Sequence, residues 1–216
     1  FQKVQAVLRK HDVAMIADEV VTGLGRTGEL WGSTTFEITP DIVTTSKVLS
    51  AGYYPIGATL VSEALTTDLE AACRLSGEFS HGFTTGGSPV GAAVGMRVID
   101  LLLDDGIFEH LRIMSPRFAH HLSELANKWF VGEIRSAGLM AGISLVADTT
   151  TNTPFSPELN AAGQIEDIAL SHGLIVRSMH DSVVLAPPFI VTGDEIDSLF
   201  ETLNKVMDDF ETRVSP

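Results

Sequence analysis

An α/β fold is what this 216-residue sequence predicts, and three observations predict it. Two apolar runs, residues 13–20 and 42–47, are too short for helices and rich in strand-forming side chains. Each carries a charged residue toward its carboxyl end, Asp18 in the first and Lys47 in the second. Between them lies the glycine-rich loop Thr22-Gly23-Leu24-Gly25-Arg26-Thr27-Gly28. Ligands of open α/β sheets gather beyond the carboxyl ends of the strands, so Asp18 and Lys47 are the first candidates for a site.

The remaining elements follow in chain order. Phe1, Val4, Val7 and Leu8 recur at helical spacing. A third strand is expected at Ala58-Thr59-Leu60-Val61, giving a parallel layer, and Ser62 is placed to cap the helix that begins Glu63-Ala64-Leu65. Small and apolar residues are nearly continuous from 89 to 103, which predicts a long helix buried on most of its surface and stopped at Asp104-Asp105-Gly106. These elements form a first unit, residues 1–105.

The second unit, residues 106–216, reads as a smaller α+β domain. Helical periodicity through Phe108, Leu111, Ile113, Met114, Phe118, Leu122 and Leu125 gives way to strands at 132–136 and 141–146. The polar stretch 148–157, with four threonines and two prolines, reads as a surface loop. A helix at about 158–172, short strands at 174–176 and 183–185, and a terminal helix after Thr192-Gly193 complete it. The sequence holds no internal repeat.

Composition narrows the function classes. A hydrophobic fraction of 44 %, with 19 Gly and 9 Pro, is that of a globular chain, and no apolar stretch reaches the length of a membrane span. A net charge of −14 disfavours nucleic acids and anionic membrane surfaces as partners. The single cysteine, Cys73, excludes an intrachain disulfide and reads as a small packed side chain. The expected setting is the cytoplasm.

A carboxylate and an amine at neighbouring strand ends suit one class of cofactor. A pyridine serves as an electron sink only while its ring nitrogen stays protonated, which asks for a carboxylate, and its aldehyde asks for an amine to hold it as a Schiff base. Asp18 and Lys47, 29 positions apart, therefore point to pyridoxal 5'-phosphate.

Longer motifs add a family. Asp18-Glu19-Val20 leading into the glycine loop, then Pro40-Asp41-Ile42-Val43, Thr45-Ser46-Lys47 and Gly52-Tyr53-Tyr54-Pro55-Ile56-Gly57, resemble the class III aminotransferases. His81-Gly82-Phe83-Thr84, followed by Gly86, Gly87 and Pro89, and the later Gly173-Leu174-Ile175-Val176-Arg177 with Val184-Leu185-Ala186-Pro187-Pro188 match in the same order. The last stretch is similar to the ω-amino acid:pyruvate, or ω-transaminase, branch.

The resemblance implies a fold-type I transferase, with the carboxyl-terminal part of its large domain followed by a small domain. It implies Lys47 as the Schiff-base lysine and general base, Asp18 as the partner of the ring nitrogen, and Val20 beside the cofactor. Thr84 would reach the cofactor phosphate of the neighbouring subunit, which implies a homodimer, and Arg177 would bind a substrate carboxylate. The implied reaction moves an amino group from an amine or ω-amino acid to an oxo acid such as pyruvate. Other activities of the class fit the same residues: an acetylornithine-type or diamine transaminase, or a semialdehyde aminomutase. Members of the family also carry an amino-terminal half with a phosphate-cupping helix start and a stacking aromatic. Neither appears here, so the sequence reads as the carboxyl-terminal part of a longer enzyme, and a fragment inactive without that half is the non-catalytic alternative. Val48, where glycine is usual, and Thr85-Gly86-Gly87-Ser88 depart from the family pattern beside the pocket, and leave Asp18, Lys47 and Arg177 intact.

Rival motifs are weaker. Gly23-x-Gly25-x-x-Gly28 matches the dinucleotide fingerprint, but that fingerprint must open a helix, and residues 29–35 show no helical pattern. His120 and His121 are adjacent on a helix and diverge, which disfavours a shared metal, and Ser88 lacks the Gly-x-Ser-x-Gly elbow of hydrolases.

Overall fold

The structure is a computed structural model that describes residues 1–79 and 81–214. It divides into two compact units, Phe1–Phe108 and Glu109–Pro216.

The first unit is built on a small sheet. Helix α1 (Gln2–Lys10) is tied to the segment before the second strand: Gln5 donates to the Thr39 carbonyl at 2.7 Å, and Arg9 donates to it at 3.0 Å and to Asp41 at 2.9 Å. Asp41 is buried and also accepts from the Met15 N–H at 2.7 Å. That backbone bond, with help from Arg9, holds its carboxyl below the usual aspartate range. The Met15 carbonyl in turn accepts from Asp41 N and Ile42 N. Strands β1 (Ile16–Asp18) and β2 (Ile42–Thr45) thereby start level and run parallel, with Ile16 opposite Ile42 and Asp18 opposite Thr44.

Strand β3 (Ala58–Val61) lies where expected but pairs antiparallel with β2, so the sheet is mixed, in the order β1-β2-β3. The reason is the connection. A parallel return needs a crossover, usually a helix laid across the sheet, whereas residues 46–57 hold only a 3-10 helix, Lys47–Ser50, and a turn with left-handed backbone at Ala51 and Gly52.

Helix α2 (Gly32–Thr35) falls inside a stretch read as non-helical. It is only one turn, too short for any periodicity to announce it. Ser62 does precede helix α3 (Glu63–Ser76), but its hydroxyl makes no capping bond and is buried without a partner; the first-turn bonds run from Leu65 and Thr66 N–H to its carbonyl instead. Helix α4 (Pro89–Asp104) ends at Asp105 and left-handed Gly106, as the sequence predicts. It is not mostly buried. Only Gly91, Gly95 and Leu102 are, while Val90, Met96 and Leu103 are each more than half exposed. Apolar content alone does not say whether a neighbour covers a face.

The second unit holds the larger core. It contains α5 (Ile107–Leu125), β4 (Val131–Ala137), β5 (Met140–Asp148), β6 (Thr153–Pro154), α6 (Ala161–Ser171), β7 (Arg177–Met179), β8 (Ser182–Leu185) and α7 (Gly193–Val214), the unit boundary falling in the first turn of α5. The antiparallel order is β4-β5-β8-β7, with β6 added to β5. Two expectations shift. The polar stretch 148–157 is not wholly loop, because Thr153 and Pro154 pair with Asp148 and Val146. The strand expected at 174–176 forms at Arg177–Met179, opposite Ser182–Val184, since the register of β8 decides which residues find ladder partners.

The sheet packs on α5, α6 and α7 through fully buried Leu111, Phe118, Leu122, Phe130, Ile143, Leu145, Ile165, Ile196, Phe200 and Phe210. Phe118 meets Phe200, and Phe130 meets Phe210, edge to face with centroids 5.4 and 5.2 Å apart. Helix α7 opens with a capping box: Thr192 N donates to Glu195 at 2.8 Å and Glu195 N to the Thr192 hydroxyl at 3.3 Å.

Charges tie α5 to α7. Arg117 bonds both carboxylate oxygens of Asp197, and His121 Nε2 lies 2.9 Å from one of them while its ring stacks on Phe200. The hydrogen bonds from Arg117 first, and then from His121, hold the Asp197 carboxyl at about 2 against an ordinary 3.8. A depressed acid contributes stability that is complete above its unfolded value and is lost as pH falls through the folded one. Stability is therefore expected to decline as pH drops from 3.8 toward 2, and Asp197→Asn flattens that part of the profile. Denaturant titrations of both proteins at stepped pH check this; parallel profiles count against it.

Candidate active site

The open end of the first sheet gathers the groups that the sequence singles out there. Asp18 is the last residue of β1, and its side chain is exposed. Its Oδ1 accepts from Val20 N at 3.0 Å and from the Thr44 hydroxyl at 3.2 Å. Thr44 stands opposite Asp18 in the parallel pair, so the register itself delivers that hydroxyl. Both bonds fall on Oδ1, and Oδ2 accepts none from the described residues.

Lys47 follows β2 by two residues and opens the 3-10 helix rather than ending the strand. Its backbone is left-handed, with φ at 45°, a region that costs a side-chain-bearing residue of order 1 kcal/mol or more and that recurs at functional sites. The side chain is exposed, and among the described residues its amine enters no ion pair or hydrogen bond. Ser46, just before it, bonds the Ile56 carbonyl at 2.8 Å, and Ser50 bonds the Tyr54 carbonyl at 2.5 Å, so the turn carrying Lys47 is held from both sides. Tyr54 OH reaches the Ser88 hydroxyl at the start of α4 at 3.0 Å.

The glycine-rich loop is organised by a residue that sequence reasoning passed over. Glu19 is 2 % exposed, and its carboxylate accepts from Gly32 N at 2.8 Å, Ser33 N at 2.6 Å and the Thr22 hydroxyl at 2.5 Å. A dinucleotide loop needs a vacant helix start for pyrophosphate. Here the helix begins well beyond Gly28, and a protein carboxylate fills its amino end. Gly23 is needed for close approach: a Cβ there would meet the Glu19 carbonyl at 2.8 Å and the Trp31 ring at 3.1 Å. Strand parity held the missed signal, since neighbours on a strand face opposite ways and two adjacent acids cannot share one environment.

Thr84 lies in the exposed turn before α4, where Gly86 N bonds the Phe83 carbonyl at 2.9 Å. No bond among the described residues joins it to Asp18 or Lys47. Arg177 belongs to the second unit, as the exposed first residue of β7, opposite Val184. Among the described residues it enters no ion pair. Glu166 on α6 accepts from the N–H and hydroxyl of the adjacent Ser178, and these bonds lower its carboxyl below the usual range, with a smaller contribution from the Arg177 charge. No group of three or more His, Cys, Asp or Glu among the described residues could hold a metal ion. No helix among them is long and apolar enough to cross a membrane.

Comparison with known proteins places this geometry. The family model described as aminotransferase class-III matches residues 1–207. The chain belongs to the class III aminotransferases. It is 38 % identical over 99 % of its length to a chloroplastic gamma aminobutyrate transaminase 3 of Solanum lycopersicum, of which it covers 41 %. Among solved structures, a PMP-bound aminotransferase from Vibrio fluvialis matches with a TM-score of 0.95 at 40 % identity, over 100 % of this chain and 48 % of that one. An omega-aminotransferase from Paracoccus denitrificans matches equally, with a TM-score of 0.95, 40 % identity and the same coverage. This class III chain thus spans less than half the length of each relative. Its fold is the mixed α/β fold of these fold-type I enzymes.

Filling the space at Gly23 tests the loop. Gly23→Ala is expected to destabilise the protein by roughly 1–3 kcal/mol through forced backbone shifts, because the nearest atom is a carbonyl that cannot swing away. Chemical denaturation measures it; an unchanged midpoint argues that the loop gives way freely.

Proposed function

We propose that this chain is the carboxyl-terminal part of a pyridoxal 5'-phosphate-dependent aminotransferase of the ω-transaminase branch, acting on an amine or ω-amino acid and an oxo acid such as pyruvate. One observation carries the reading: Asp18 ends β1 and Lys47 follows the adjacent parallel strand β2 by two residues, with the atoms this chemistry needs, Oδ2 and the amine, left open. They fit a protonated pyridine nitrogen and an aldehyde. In this reading residues 1–105 belong to the large domain and 106–216 are the small domain, a division supported by the two compact units.

When bound, the cofactor supplies an electron sink for charge developing at the substrate carbon. The residues do the rest. Asp18, fixed through Oδ1 by Val20 N and Thr44, keeps Oδ2 as a permanent acceptor for the ring N–H, and Val20 lies beside it. The Lys47 amine would hold the cofactor through its aldehyde, and when free would serve as the base that moves a proton at the substrate carbon. Arg177 offers a planar fork for the carboxylate of an oxo acid or amino acid. Thr84 serves the cofactor phosphate of a second copy, which makes the working form a homodimer. The cytoplasm is the proposed compartment, supported by composition alone.

Two measurements on the longest natural form of the protein test this. Sodium borohydride is expected to fix the mass of the cofactor onto Lys47, and Lys47→Ala to lose that adduct and about 10²- to 10⁴-fold in kcat through the missing base. A persistent adduct in Lys47→Ala removes the reading. Arg177→Ala is expected to lose about 10- to 100-fold in kcat/KM for carboxylate-bearing donors, the worth of charge-assisted bonds, and to leave carboxylate-free amines nearly unaffected. Equal losses for both donor types reject the role of Arg177.

A further inference from the structure

Glu19 is harder to explain than Asp18. A buried carboxylate costs several kcal/mol unless every oxygen is satisfied, and a one-turn helix needs no more than a serine to cap it. Glu19 is nevertheless 2 % exposed and binds three donors from two segments, Thr22 at the start of the glycine loop and Gly32 and Ser33 at the start of α2. Its backbone is held as well: Glu19 N donates to the Thr44 carbonyl at 2.8 Å, and its own carbonyl accepts from Gly23 N at 3.0 Å. Side chain and main chain together fix the peptide between Glu19 and Val20. The N–H of that peptide is the one that holds Asp18 Oδ1 at 3.0 Å.

We propose that Glu19 is the positioning residue for Asp18: its buried carboxylate locks the turn whose Val20 N–H orients the Asp18 carboxylate toward the ring nitrogen of the cofactor. The inference rests on the reading of Asp18 given above. Glu19 acts through the turn and not on the ligand, because its carboxylate is buried against Thr22, Gly32 and Ser33 while Asp18 is exposed. Its chemistry is specific. Oε1 faces the Ser33 N–H and Oε2 faces the Gly32 N–H, so glutamine in either orientation sets an NH₂ against a backbone donor. Gly32 is fitted to the same carboxylate, since a Cβ there would meet Oε2 at 2.8 Å.

The test uses the longest natural form of the protein with pyridoxal 5'-phosphate labelled with ¹⁵N at the ring nitrogen, whose resonance reports protonation and its carboxylate partner. Asp18→Asn sets the reference for a lost partner. Glu19→Gln is expected to keep the borohydride-fixed adduct at Lys47, to move the ring-nitrogen resonance toward that of Asp18→Asn, and to weaken cofactor binding about tenfold, as loss of a supporting hydrogen-bond partner does elsewhere. Thr22→Val, which removes one of the three donors and keeps the charge, is expected to move the resonance the same way by less. It decides the matter alone if Glu19→Gln does not fold. Resonances at the wild-type position in the folded variants, with only a lowered melting temperature, make Glu19 a structural cap and overturn the proposal. Loss of the covalent adduct in wild type, or its survival in Lys47→Ala, is a separate outcome that removes the underlying reading and this proposal with it.

Discussion

The parallel pairing of β1 with β2 is the constraint on which the first unit depends. Its register is set at the closed end, where buried Asp41 takes the Met15 N–H and the Met15 carbonyl takes Asp41 N and Ile42 N. Three residues later that register has become chemistry: Thr44 stands opposite Asp18, its hydroxyl on the carboxylate, and its carbonyl receives Glu19 N. A slip of one residue would turn Asp18 inward and Glu19 outward, exchanging an exposed carboxylate for a buried one. The ion pair of Arg9 with Asp41 therefore acts at a distance on the open end, through strand geometry.

The legible part of the fold was whatever depends on local pattern. The positions of β1, β2 and β3, the stop at Gly106, and the long helices α4, α5 and α7 are written in runs of apolar residues and in turn chemistry. What was not legible depends on partners far away in the sequence. The antiparallel sense of β3 is decided by a connection lacking a crossover helix, the shift of the last strands to Arg177–Met179 is decided by β8, and the exposed state of α4 is decided by what lies against it. In the candidate site, Asp18 and Lys47 could be singled out because each comes at or just after the end of a short apolar run. Glu19 could not, since a buried acid and a surface acid are the same letter until the loop has closed over one of them.

Adjacent carboxylates illustrate how one strand end separates roles. Asp18 keeps an open oxygen and two light restraints, while Glu19 is enclosed and fully used. Strand alternation makes the separation without extra structure, and the glycine at position 23 lets the loop close tightly enough to enclose the second acid. The same division recurs in the second unit, where Glu166 is occupied by Ser178 and the neighbouring Arg177 remains exposed. In both places an occupied side chain sits next to an exposed one.

Helix α4 has a bearing on how such a chain behaves in a tube. Val90, Met96 and Leu103 are exposed on one helix, and Ile16, Leu60 and Val61 on the sheet of the same unit. Colloidal stability then falls to charge, and the chain carries −14 of it. Salt that screens this repulsion, or acid that neutralises it, weakens a force that keeps copies of the chain apart.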